Sequence, residues 1–274
     1  MVSIIIPAYN AKKCIIEAVY SALLQKYQDK EIIIIDDAST DKTIEYLIGN
    51  FMSADDLTDV ENAIVPSGLD ELFLIWKGSL YDTDVKIYRS TKNKGVAISR
   101  NKGVQLAQGE YIAFLDADDF WHRDKLRLQM EAIKKSDAVL CNTGRLLFNN
   151  KGRMLGKYIG TPEVITLRKL EKTNWINCSS VVARRDVILK YPMKNTQAHE
   201  DYLAWLMVLK DYAYAIGVDK PLVYYRVNRK SKSGNKIKSA KMTYYTYIYA
   251  GYGKARALFM MISYAINGIR KYSK

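Results

Sequence analysis

The sequence predicts an α/β protein with a mostly parallel, Rossmann-like central sheet flanked by helices. Three observations carry this expectation. Short, unbroken apolar runs rich in β-branched residues recur through the first 115 positions, as parallel strands buried on both faces require. Most are followed by a segment of helical period, and this alternation favours parallel pairing. Their carboxyl ends carry a turn or a carboxylate cluster, so polar chemistry collects at the sheet edge where open α/β sheets bind ligands.

Val2-Ser3-Ile4-Ile5-Ile6 is the first such strand, and Pro7-Ala8-Tyr9-Asn10 turns the chain into a helical pattern that reaches about Leu24. Glu31-Ile32-Ile33-Ile34-Ile35 repeats the unit and ends in Asp36-Asp37-Ala38-Ser39. Ser39 or Thr40 is the expected cap of the helix that follows to about Leu47. Residues 49–84 are weakly periodic, contain Pro66, Gly68 and Gly78, and read as an insertion. Val85-Lys86-Ile87-Tyr88, a helix from Val96 to Leu106 and a strand at 111–115 resume the alternation. Beyond these come a helix near 122–135, a strand near 138–141, a polar stretch through Gly160 and a strand at 179–183. His199-Glu200-Asp201 opens a helix whose Leu203, Leu206, Val208 and Leu209 share a face, and Leu222 to Arg226 is the last strand. The Lys-, Ser- and Gly-containing segment 229–241 reads as a mobile lid.

The 274 residues, 49% hydrophobic, suffice for one large domain with an appendage. The net charge of +13 is unevenly placed: residues 1–219 hold 29 basic and 29 acidic side chains, whereas the segment after Asp219 holds 13 basic residues and no acidic one. Such asymmetry concerns an anionic partner and not the fold. Cys14, Cys141 and Cys178 show neither zinc nor disulfide spacing, which fits a reducing cytosol. The amino terminus lacks a basic signal region, and no apolar run reaches the ~18 residues of a spanning helix. From Met242 onward, tyrosines and short apolar runs alternate with Lys254 and Arg256. This composition suits helices lying in an anionic bilayer surface, with a helical pair packed on the domain, or a dimer contact, as the plainer alternative.

The strongest chemical signal is Glu110-Tyr111-Ile112-Ala113-Phe114-Leu115 followed by Asp116-Ala117-Asp118-Asp119. Carboxylates this close repel one another, and a divalent cation that also carries phosphate relieves them. A lone Asp-x-Asp is more often a solvated turn, so the other motifs decide its meaning. There is no Gly-Lys-Ser/Thr phosphate loop and no Gly-x-Gly-x-x-Gly, which weakens a nucleotidyl- or phosphotransferase reading. His199-Glu200 is not a metalloprotease signature, because Leu203 stands where the second His belongs.

In this order the chain resembles the family-2 glycosyltransferases of the GT-A fold. The resemblance rests on Val2 to Asn10, on Ile35-Asp36-Asp37-Ala38-Ser39-Thr40-Asp41-Lys42-Thr43, on Gly95-Val96-Ala97-Ile98-Ser99-Arg100-Asn101-Lys102-Gly103 and on Phe114 to Asp119. It is strong over about residues 2–130 and weaker at Glu200-Asp201, Tyr225-Arg226, Ser231 and Ser233. It implies a glycosyltransferase domain over 1–228, with a nucleotide-binding half 1–120 and an acceptor half 121–228, followed by a basic lid and membrane-associating tail over 229–274. By the resemblance, Pro7, Tyr9 and Asp37 hold the base of a nucleotide-sugar, usually a UDP-sugar, with Arg100 supporting that end of the pocket. Asp116 lies near ribose and metal, Ala117 lines the same pocket, and Asp118 with Asp116 holds manganese or magnesium. Asp119 supports or caps, and Arg226 reaches the phosphates. Asp201 is the general base that takes the acceptor's proton, with Glu200 the alternative; a carboxylate at a helix amino terminus is expected to stay ionised.

The implied reaction is metal-dependent, inverting transfer of a hexosyl or N-acetylhexosaminyl group to a hydroxyl of a lipid-linked saccharide in surface-polysaccharide synthesis, such as O-antigen or capsule. It would occur on the cytoplasmic face of the cell membrane, with no nucleic acid partner and oligomeric state left open. The chain departs from the family at the long 49–84 link and at Asn228, where a His is frequent. The competing function is a membrane- or nucleic-acid-surface binding module on a catalytically silent GT-A fold.

Overall fold

A computed structural model describes residues 1–51, 72–149, 152–194, 197–227 and 236–273. At its centre β1 (Val2–Ala8) lies between β2 (Lys30–Asp36) and β5 (Tyr111–Phe114), parallel to both. The strict alternation within β1 and β2 divides the core: Ile4, Ile6, Ile32 and Ile34 face one layer, Ile5, Ile33 and Ile35 the other. Helices α1 (Ile15–Leu23), α2 (Thr43–Phe51) and α4 (Lys125–Ser136) cover the first layer. Helices α3 (Val96–Leu106) and α7 (Glu200–Asp211) cover the second. The short α5 (Leu167–Lys172) and α6 (Arg185–Lys190) join them there.

The insertion expected at 49–84 is in part ordinary sheet. Residues 52–71 lie outside the described ones, but β3 (Leu72–Leu80) pairs antiparallel with β4 (Thr83–Ser90), which in turn lies parallel to β2. Tyr81 and Asp82, with φ of 50° and 57°, close the hairpin in two residues, a geometry that matches strand twist. Trp76 is buried while Phe73 is exposed, the mixed pattern of an edge strand, which hid it from a search for unbroken apolar runs.

The full order is β3-β4-β2-β1-β5-β10-β7-β11-β6, where β6 is Phe120–Trp121, β7 Leu140–Asn149, β10 Val182–Arg184 and β11 Ala215–Val227. β8 (Met154–Ile159) pairs with β7, and β9 (Val164–Ile165) with β11. The strand expected at 179–183 begins instead as a 3-10 turn at Cys178–Ser180, and only Val182–Arg184 inserts, antiparallel, between β5 and β7. The last strand starts seven residues earlier than expected: Asp219-Lys220-Pro221 is a register shift within β11 and not its beginning.

The chain leaves β1 toward β2 and β4, then returns to β5 on β1's other side. The switch point where ligands bind in open sheets is therefore the crevice between the carboxyl ends of β1 and β5. The segment expected as a lid at 229–241 lies outside the described residues as far as 235, as does the boundary at 228. From Lys236 the chain is helical instead: α8 (Lys236–Tyr249) and α9 (Lys254–Ser273) form a helical pair. Tyr247, Ala250, Ala257 and Met260 join the second core layer, so the tail packs on the domain through one face.

Candidate functional site

The turns after β1 and β2 are sewn together. Asn10 N–H donates to Ser39 Oγ (2.9 Å), Thr40 N–H to Asn10 Oδ1 (2.8 Å) and Ala11 N–H to Thr43 Oγ1 (2.9 Å). Ser39 and Thr40 thus bridge to the neighbouring turn and do not cap α2; Asp41 accepts from Thr43 N–H (3.0 Å) at that helix start instead. Asn10, Ala38 and Lys42 all take positive φ, the curvature that brings the turns together. Pro7 is buried within β1, while Tyr9, just past its end, is 51% exposed.

Asp37 is buried beside them. Its Oδ1 and Oδ2 accept from the backbone N–H groups of Lys94 (3.0 Å) and Gly95 (2.7 Å), fixing the entry to α3. Gly95 has φ 92°, which a side chain would resist. Each carboxylate oxygen retains a further acceptor position, so Asp37 can also meet the imide N–H of a base. Asp36 points elsewhere, taking Arg89 Nε at 2.9 Å.

Arg100 projects from α3 and is almost fully buried. One terminal nitrogen meets Asp116 Oδ1 (2.5 Å) and the other meets Glu200 Oε1 (3.4 Å), so a single guanidinium spans from the end of β5 to the amino end of α7. Its guanidinium lies between the first carboxylate of the Asp-x-Asp and the Glu200-Asp201 pair. Burial opposes its charge, but Asp116 and Glu200 help to hold it firmly protonated. The next residue anchors the same connection: Asn101 Nδ2 donates to Met193 O (2.7 Å), and Met193 N–H returns to Asn101 Oδ1 (3.0 Å). Asn101 stands in the Gly95–Gly103 motif, but its partner 92 positions away is a tertiary contact that periodicity does not encode.

Asp116, Ala117, Asp118 and Asp119 form the turn after β5. Burial, then the charge of Asp116, push Asp118 up to about 6. Asp119 is buried more deeply and is raised well above its ordinary value by burial and by Asp118 and Asp116; its Oδ1 accepts Arg226 N–H (2.8 Å). This crowding is what a cation between the carboxylates relieves. The donor set fits a magnesium or manganese ion, for which a protein supplies one or two carboxylates and leaves other positions to phosphate and water. No group of three or more His, Cys, Asp or Glu suited to a metal occurs among the described residues.

Arg226 closes this side. Its Nε donates to Asp118 O (2.8 Å), a terminal nitrogen pairs with Glu17 Oε2 (2.5 Å), and the guanidinium lies 4.4 Å from the centre of the Phe148 ring. Ser179 accepts from Asp116 N–H (3.1 Å) through its hydroxyl and from Trp121 Nε1 (2.7 Å) through its carbonyl, locking the loop from behind. Neither Glu17 nor Ser179 carried a sequence signal, since each matters only through a contact with a distant segment.

At the start of α7, Asp201 is pushed up by burial and by Glu200, with Arg100 and His199 acting against this. The helix terminus therefore does not hold this carboxyl at its ordinary value, and the cation shared with Asp116 works against the rise. The structure therefore gathers Asp116, Arg100, Glu200 and Asp201 around one charge network, with Asp118, Asp119 and Arg226 contiguous to Asp116 and Tyr9 and Asp37 at the neighbouring strand ends. Asn228, Arg229, Lys230, Ser231 and Ser233 lie outside the described residues.

The model of the family described as Glycosyl transferase family 2 matches residues 3–50 and 69–191. A glycosyltransferase assigned to teichuronic acid biosynthesis in Bacillus subtilis, TuaG, is 32% identical over 272 residues, covering 99% of this chain and 97% of its own. The Escherichia coli protein WfgD, named a UDP-Glc:alpha-D-GlcNAc-diphosphoundecaprenol beta-1,3-glucosyltransferase, is 29% identical over 274 residues, covering 100% and 95%. Among solved structures, S. aureus TarS 1-349 in complex with UDP-GlcNAc superposes with a TM-score of 0.67 at 16% identity, covering 98% of this chain and 72% of that one. The mannosyltransferase PcManGT from Pyrobaculum calidifontis, in complex with GDP-Man and Mn2+, gives 0.61 at 16% identity, covering 98% and 74%. At such identities the structural likeness speaks for the GT-A fold.

Proposed function

The chain belongs to glycosyl transferase family 2, and from that premise we propose that it moves a sugar from a UDP-sugar to a hydroxyl of a lipid-linked saccharide in polysaccharide synthesis, with inversion at the sugar carbon. The observation that carries this reading is the Arg100 bridge. It joins the carboxylate turn suited to a metal-bound diphosphate to the helix end suited to acceptor activation, so donor and acceptor chemistry share one frame. The named activity of WfgD supplies the acceptor class, a saccharide on a diphospholipid, and UDP as the carrier.

In this reading Tyr9 stacks on the base, Pro7 shapes its turn and Asp37 accepts the base's imide proton. Asp118, assisted by Asp116, holds manganese or magnesium, which when bound supplies Lewis-acid stabilisation of the charge growing on the leaving diphosphate. Ala117 lines the floor between them. Arg226 stands beside Asp118 as a cation for the phosphates. Asp201 takes the proton from the acceptor hydroxyl as its oxygen bonds to the anomeric carbon and the carbon–diphosphate bond breaks; Glu200, held by Arg100, orients the site or serves as the base in its place. Direct attack opposite the leaving group inverts the configuration. Residues 229–274 keep the enzyme at the cytoplasmic face of the membrane, where the acceptor resides.

Calorimetric titration with UDP and other nucleoside diphosphates, in manganese or chelator, tests the donor half. Metal-dependent, UDP-selective binding is the expected result, and Asp118→Ala is expected to weaken it by about 100-fold or more while leaving the fold intact. Equal binding with and without metal would rule out the assignment of Asp118.

A further inference from the structure

Helix α9 has two apolar faces, and the fold uses one. Ala257, Met260, Met261 and Tyr264 turn inward against the domain core. Leu258, Phe259, Ile262 and Ile266 are 58%, 73%, 61% and 47% exposed. At 3.6 residues per turn these four fall within an arc of about 100°, and exposed Ala255 and Ala265 complete it, so between Ala255 and Ile266 the outward stripe holds no polar residue. Exposed Lys254 and Arg256 flank the arc at its first turn, and exposed Lys238 and Lys241 lie on α8, which packs beside α9.

We propose that the outward face of α9 docks on an anionic bilayer, the helix lying in the headgroup plane with Leu258, Phe259, Ile262 and Ile266 in the acyl boundary. Charge selects this occupant. The chain after Asp219 has 13 cations and no carboxylate, so a second copy seated on the same face would set cation against cation, whereas an anionic lipid surface complements both the stripe and its flanks. No helix among the described residues is long and apolar enough to cross a membrane, which leaves the in-plane arrangement.

Docking at α9 bears on the candidate base. The companion helix α8 holds the amino end of α7: His199 N–H donates to Thr246 Oγ1 (3.1 Å), and His199 Nε2 lies 3.2 Å from Ser239 O. Glu200 and Asp201 follow directly, so the helix packed beside the lipid-facing one is braced against the helix end that meets the acceptor. The proposal deepens the lipid-linked acceptor reading, yet the contact it names needs no donor chemistry.

The test is sedimentation of the full chain with vesicles of phosphatidylglycerol in phosphatidylcholine, compared with phosphatidylcholine alone, at low and high salt. The wild type is expected to sediment with the anionic vesicles and to lose binding in high salt. Phe259→Asp with Ile262→Asp is expected to reduce binding by about tenfold or more, from the lost apolar burial, while thermal unfolding and UDP binding by calorimetry stay as in the wild type. Wild-type binding by the variant would overturn the proposal. So would a wild type that ignores vesicles, or one that forms a dimer which the variant abolishes, since the stripe would then serve a second copy. Failure of UDP binding alone would count against the transferase reading and leave the lipid contact standing.

Discussion

Arg100 is the residue on which the candidate site turns, and its chemistry predicts how it fails. A guanidinium presents several donors in a planar fork and can hold Asp116 and Glu200 together, whereas a lysine ammonium is a point charge. Arg100→Lys is therefore expected to lower kcat by about 10- to 100-fold through lost positioning, with the melting temperature little changed. Arg100→Ala goes further, because it strips Asp201 and Glu200 of a nearby cation. Removing a positive charge raises a carboxyl group's pKa, so the acidic limb of the pH–rate profile should move to higher pH in Arg100→Ala and less in Arg100→Lys. An unmoved limb would detach Arg100 from the base. The residues around it were unevenly legible: Asp116, Asp118 and Arg100 stood in recognisable motifs, but the Arg100–Glu200 pair joins positions 100 apart and belongs to tertiary structure alone.

Among the elements, α3 positions both Arg100 and Asn101, and it does so by lying unusually close to β1. A Cβ built on Gly103 would stand 2.4 Å from Ile5 Cγ2, and Ile5 is itself in the packed core. Gly103→Ala is accordingly expected to destabilise by about 1–3 kcal/mol, read from urea midpoints. It should also lower kcat disproportionately, because the helix must shift and carries Arg100 with it. The same element scale shows what sequence patterns can carry. Strands β1 and β2 are buried on both faces and announce themselves as unbroken isoleucine runs. Strand β10 spends only three residues in the sheet, β3 is amphipathic at an edge, and β11 hides its first half behind Asp219-Lys220-Pro221. Their placement is decided by partners, which local period does not encode.

On the scale of the whole molecule, one buried cation sets a pH dependence of stability. Lys125 has no hydrogen-bond partner for its ammonium, which sits 3.9 Å from the Trp121 ring centre, and burial pulls its pKa down from 10.5 to about 7. Between those two values the unfolded chain binds more protons than the folded one at this site, so its contribution to stability rises with pH, by up to about 1.4 kcal/mol per unit. Below about pH 7 both states are protonated and the burial penalty is constant. Lys125→Met is expected to stabilise the protein most at pH 6 and to remove this part of the slope. Urea unfolding at several pH values reads both effects, and an unchanged slope would place the charge in solvent. The global α/β class was legible because it rests on alternation over the first 115 positions. The docking of α8 and α9 was legible only as composition, since a basic, aromatic, apolar segment suits a membrane face and a packed face alike, and the structure shows one face packed on the domain.

Strand β10 has a further consequence, for biosynthesis. The free edge of β5, which ends at Phe114, is covered by Val182–Arg184 and by nothing earlier in the chain. As the polypeptide leaves the ribosome, the first half can assemble β1, β2, β4 and β5 while that edge still offers unpaired N–H and C=O groups, and a long stretch must emerge before its partner arrives. A chain halted before β10 would therefore present an open strand to any neighbour. Gene fusions or truncations that cut between the halves would yield aggregation-prone products even though Tyr9, Asp37, Arg100, Asp116 and Asp118 were all present.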